Sequence, residues 1–235
     1  MGRRVLWTLV GIATGIAVIS GLLYVAVVLT GFESSPWHGL HVLVDVAGEH
    51  NAATWYASVL WALLALTAVA VGAHAPRLRL SWFFLAAVAV YASIDEYAML
   101  HEKLWVLGDL LTEYLPFDPF SYRWVVAGVV LAVVVAALLA PLALRLPLPV
   151  MVGLVAAGFV FLLGAVGVET WGGFVERSYE QLTWHLKLLM HLEEWLEMVG
   201  VALAIWSVSE MIVWRRTEDG VATAFRGYRG APGGA

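Results

Sequence analysis

The chain has 235 residues, of which 62% are hydrophobic and only 13% charged, and its formal net charge is −5. Soluble domains carry about a quarter of their residues as charges, so this composition excludes an ordinary water-soluble globule and points to lipid as the solvent. No cysteine is present, which excludes disulfides, thiolate metal sites and cysteine nucleophiles. No basic stripe alternates with aromatics, so nucleic acid is not expected as a partner.

The expected fold is an all-α, polytopic membrane bundle of about six helices with both termini cytoplasmic, in the plasma membrane. The first apolar run, about 5–30, follows the basic start Arg3-Arg4. It exceeds the apolar region of a secretory signal and shows no small-x-small cleavage site, so it reads as a retained first helix. The loop that follows holds an amphipathic segment at about 36–50. Spans are then expected at about 53–74, 81–104, 123–144, 148–170 and 187–214, since roughly 20 apolar residues cross a ~30 Å hydrocarbon core. Pro36 and the Pro116/Pro119 pair punctuate two loops. Pro141, Pro147 and Pro149 mark the link between the fourth and fifth spans, because proline ends helices and stiffens turns. Residues 1–216 form a single transmembrane domain, and the Gly-rich stretch 217–235 is expected to be a short disordered tail.

Basic residues set the orientation. Of the 13 Lys and Arg, nine fall on one side: Arg3, Arg4, Arg77, Arg79, Arg145, Arg215, Arg216, Arg226 and Arg229. Lys103, Arg123, Arg177 and Lys187 make up the four on the other.

Acidic and histidine side chains concentrate on the extracytoplasmic side, in three segments. In the loop after the first span, His38, His41, Asp45 and Glu49 recur at steps of three, four and four, one face of a helix. An interfacial helix that shows its polar face to water gives the same pattern. At the end of the third span, Asp95 and Glu102 lie seven residues apart on one face. His101 is on an adjoining face and Glu96 lies off to the other side. At 1.5 Å per residue Asp95 is ~21 Å along a helix begun at Ser81, inside the outer half of the bilayer. At the start of the sixth span, His191, Glu194 and Met198 share one flank, and Glu193 and Glu197 the next. Glu169, Glu176 and Glu180 border the same surface, as solvated loop residues or as additions to the cluster. The third span runs outward and the sixth inward, so their polar ends meet at one depth.

Carboxylates in a low-dielectric setting need compensation, by protons or by cations. Imidazole together with carboxylate suits a divalent transition metal: iron, manganese, zinc or copper. The expected metal ligands are Asp95, His101, Glu102, His191, Glu194 and Glu197, capped by His38, His41 and Asp45. The ligand types match those of helical di-metal carboxylate sites, but the spacing departs from their Glu-x-x-His pattern. No phosphate loop, Gly-x-Ser-x-Gly or His-Glu-x-x-His sequence occurs. Three functions follow as expectations. The first is a metal-dependent oxidoreductase or hydrolase acting on a membrane-borne substrate. The second is a proton or divalent-cation transporter that uses the same carboxylates. The third is a non-catalytic subunit or assembly factor that pairs with other membrane subunits.

Overall fold

A computed structural model describes residues 2–32, 35–113, 122–178, 184–218 and 220–230. Pro116, Pro119 and Glu180 lie outside these residues. The described residues are 78% helical, as a segment in lipid must be if its backbone groups are to satisfy one another. In order, the helices are α1 (Gly2–Thr30), α2 (His38–Val44), α3 (Ala52–His74), α4 (Arg79–Ala98), a 3-10 turn (Glu102–Leu104), α5 (Trp105–Thr112), α6 (Trp124–Ala143) and α7 (Leu148–Leu162). A π-helical segment (Leu163–Val168) leads into α8 (Glu169–Ser178), followed by α9 (Trp184–Ser209) and a hairpin of β1 (Ile212–Thr217) and β2 (Gly220–Phe225).

Four of these rods are long and apolar enough to cross a membrane: α1, α3, α6 and the continuous Leu148–Arg177. A fifth arises if α4 and the segment Glu102–Thr112, bent by 93°, count as one span. The protein is therefore of membrane type. The outer faces of α1, α6 and α7 expose Ile19, Leu22, Val133, Val134, Val155 and Phe159, an apolar surface suited to acyl chains and costly in water. α9 is 26 residues long but carries Lys187, Glu193, Glu194 and Glu197 in its first half, and is not among the four.

Small residues let the rods approach closely. A methyl group on Gly200 of α9 would stand 2.8 Å from Phe161 Cβ and backbone N, and one on Gly164 would stand 2.8 Å from the Glu193 carbonyl oxygen. α9 thus lies directly against α7 and the π-helical segment. Along α3 and α4, Ser58 and Ser93 exchange hydroxyl-to-carbonyl hydrogen bonds of 2.7 and 2.9 Å. The core runs through Leu60, Leu64 and Val71 of α3, Trp82 of α4, and Met198, Val201, Ile205 and Val208 of α9.

Two expectations are corrected. The third rod ends at Ala98, not 104: Met99 turns left-handed (φ 49°) and its N–H closes on the Asp95 carbonyl at 2.7 Å. The sixth rod ends at Ser209, short of 214, and part of the stretch expected to be a disordered tail, 220–225, forms a strand of a hairpin. β1 and β2 pair antiparallel, with Ile212 opposite Phe225 and Thr217 opposite Gly220. After the hairpin, the Tyr228 hydroxyl donates to the Arg77 carbonyl (2.6 Å) and accepts from Trp82 Nε1 (3.0 Å). The Arg229 N–H donates to the Arg145 carbonyl at 2.7 Å. Aromatic burial and backbone pairing hold the tail to the α3–α4 and α6–α7 turns, and composition reveals neither.

Candidate functional site

The polar residues singled out in the sequence meet at the opposite end of the bundle, but as two clusters.

The first joins α1, the 38–51 segment and α9. Lys187 Nζ donates to Asp45 Oδ2 at 2.7 Å, and the two side chains are only 10% and 15% exposed. His41 Nε2 stands 3.5 Å from the same oxygen. The His191 ring faces α1: its Nδ1–H donates to the Lys187 carbonyl (2.8 Å), because a carbonyl can only accept, and Nε2 meets Ser20 Oγ at 2.9 Å. Ser20 Oγ also accepts the Val46 N–H at 3.2 Å. In the neutral ring Nε2 therefore accepts the Ser20 proton, and both ring nitrogens are engaged. Asn51 caps α3 by accepting from the Ala53 and Thr54 N–H groups at 2.8 and 3.2 Å. It also donates to the Asp45 carbonyl at 2.7 Å, which ties this loop to the bundle. Burial is the largest influence on His41 and holds its pKa below the usual 6.5; Lys187 and His38 push the same way and Asp45 opposes them. His38 Nδ1 and His41 Nδ1 are buried without a hydrogen-bond partner among the described residues.

The second cluster joins α4, the π-helical segment, α8 and α9. Glu96, Glu194 and Glu197 lie within electrostatic reach of one another, with Glu193 and Glu169 adjoining. Trp61 Nε1 donates to Glu96 Oε1 at 3.0 Å, and Trp124 Nε1 donates to Glu169 Oε1 at 2.9 Å. Glu169 Oε2 is buried without a partner among the described residues. Glu193, Glu194 and Glu197 are half-buried. Asp95 does not turn toward them. It accepts the His101 N–H at 2.6 Å and His101 Nδ1 at 2.9 Å, and so secures the chain just past the break in α4. The His101 ring rests on Trp124 at 4.6 Å between centroids. Glu102 is exposed on the 3-10 turn.

The expected single site is thus divided. His38, His41, Asp45 and His191 share no hydrogen bond or ion pair with Glu194 or Glu197 among the described residues, and Asp95 is a capping group. Among the described residues no group of three or more His, Asp or Glu is arranged to hold a metal ion. Glu96 takes the place expected of Asp95, because the break after Ala98 leaves Asp95 to the turn and Glu96 to the packed face. Lys187 is buried in an ion pair with Asp45. A lysine three residues into α9, with an acid on a neighbouring loop, is the signal that points to it.

The geometry defines a polytopic helical membrane protein with a carboxylate cluster at one end of its bundle. The chain belongs to a family described as a domain of unknown function (DUF8692), whose match covers residues 9–211 and so includes both clusters. No curated protein and no solved structure matches it.

Proposed function

We propose that this protein moves protons or cations through the membrane, with Glu96, Glu194 and Glu197 as the exchanging groups. It does so as a six-span protein of the plasma membrane with both termini cytoplasmic. The six rods α1, α3, α4, α6, α7–α8 and α9 and the nine-to-four division of Lys and Arg support that arrangement. One observation carries the functional reading. Three carboxyl groups from two helices, α4 and α9, lie within electrostatic reach of one another, and no basic side chain makes an ion pair with them among the described residues. Lys187, the nearest candidate on α9, is committed to Asp45. Charge among the glutamates must be offset by mobile species, which is the condition for exchange.

A second reading rests on His101. With Nδ1 bound to Asp95, its Nε2 is left to a ligand, the carboxylate–histidine arrangement that orients metal-binding imidazoles. Glu96, Glu49, Glu102 and Glu193 lie within electrostatic reach of that ring. A divalent transition metal (iron, manganese, zinc or copper) bound here would support a metal-dependent oxidoreductase or hydrolase.

Flux assays on protein in sealed liposomes decide between them. A pH-sensitive dye inside the liposomes should report proton entry driven by a potassium diffusion potential, and Glu197→Gln should reduce it at least tenfold. Absence of proton or cation flux, together with stoichiometric metal in the purified protein that His101→Ala removes, overturns the first reading in favour of the second.

A further inference from the structure

The C-terminal hairpin lies outside the family match and is not used by the carboxylate cluster. Cross-strand partners in an antiparallel pair share a face. One face therefore carries Ile212 with Phe225, Trp214 with Thr223, and Arg216 with Val221. Its inner third packs on the bundle: Ile212 and Phe225 rest against the core, and Phe225 lies 4.9 Å from the Tyr228 ring. In the middle, Thr223 Oγ1 stands 3.3 Å from His74 Nε2 at the end of α3. Beside Thr223 and beyond it the face is uncovered: Trp214 is 59% and Val221 63% exposed. A surface that packs on the end of α3 and extends beyond it looks back along the bundle axis, toward the headgroup layer around the helices.

Charge identifies what it meets there. Among the described residues this end of the molecule carries Arg3, Arg4, Arg77, Arg79, Arg145, Arg215, Arg216, Arg226 and Arg229, against Glu210 and Glu218. Arg226 is paired with Glu210 at 3.0 Å. Arg215 and Arg216 are exposed and make no hydrogen bond or ion pair among the described residues. Tryptophan, valine and arginine together on one surface match the membrane interface, where the ring and aliphatic group enter the headgroup layer and the guanidinium meets phosphate. We propose that the hairpin is an interfacial arm that lays its Trp214–Arg216–Val221 face on an anionic lipid surface, with Arg216 selecting the negative headgroups.

The chain has no cysteine, so a single Val221→Cys carries one environment-sensitive NBD label. The labelled full-length protein is placed in nanodiscs of pure phosphatidylcholine or of phosphatidylcholine with 30% phosphatidylglycerol, which leave both faces open to reagent. In the anionic discs the label should emit to the blue and resist reduction by dithionite; in neutral discs it should behave as in water. Arg216→Ala should lower the ratio of protected to reduced label about fivefold in anionic discs, the worth of one basic residue at such a surface, while Arg215→Ala, on the opposite face of the hairpin, should lower it less. Neither side chain contacts the core, and an unchanged melting curve for each variant establishes that the effect is local. A label equally reduced in both discs, or equally protected in both, overturns the proposal.

Discussion

The buried pair of Asp45 and Lys187 allows a quantitative test of how the 38–51 segment is held to the bundle. Lys187→Met removes the cation and leaves Asp45, 15% exposed, with only His41 at 3.5 Å and the Ala47 N–H at 3.2 Å as side-chain partners among the described residues. Breaking a buried pair by removing one partner costs about 3–5 kcal/mol, mostly for the charge left behind. The residual contacts of Asp45 place the expected loss at the low end, about 3 kcal/mol, or a little over a hundredfold in the folded-to-unfolded ratio. Asp45→Asn should cost a similar amount by stranding Lys187. The double variant Asp45→Asn/Lys187→Met removes both charges and should cost clearly less than the sum, with a coupling of about 2 kcal/mol or more. The measurement is unfolding of the detergent-solubilised protein by sodium dodecyl sulfate, followed by circular dichroism at pH 7.5. Single variants that cost under about 1 kcal/mol and add in the double would refute the reasoning, because that is the behaviour of a solvated pair.

Three further outcomes are expected. The lowered pKa of His41 means that its stabilising contribution is complete above pH 6.5 and is lost as pH falls below 6.5 through the folded-state value; His41→Gln should flatten the acid side of a melting-temperature profile, and an unchanged slope would show that burial there is not felt. Gly200→Ala places a methyl 2.8 Å from Phe161 Cβ and should cost about 1–3 kcal/mol in the same unfolding assay. Gly158→Ala, with nothing within 4 Å, should be close to neutral, and equal effects would contradict the close α7–α9 approach. Cysteines at Asp109 and Gly220 should react with membrane-impermeant maleimide from opposite sides, while labelling from one side would reject the six-span arrangement.

Much of this architecture was legible from residue type alone. Lipid as solvent follows from composition, and the helices α1, α3 and α6 lie within a residue or two of the expected spans at their ends nearest the loops. The reason is that a ~30 Å hydrocarbon core fixes the length of an apolar helix without reference to its neighbours. That α4 and α9 carry their glutamates at the same end of the bundle also follows, from alternating direction along the chain. What the sequence could not decide was azimuth. A 3.6-residue repeat says which side chains share a face, but which face meets a neighbour depends on close approaches such as Gly200 on Phe161 and Gly164 on the Glu193 backbone. Those contacts turn Glu194 and Glu197 toward Glu96 and send His191 to Ser20. The left-handed turn at Met99 diverts Asp95 into a cap, a local event with no periodic signature. The burial of Lys187 needs a carboxylate 142 residues away, and the ordering of the tail needs Tyr228 to find Trp82 and the Arg77 carbonyl. Each is a contact between segments remote in the chain, and only tertiary packing brings such partners together.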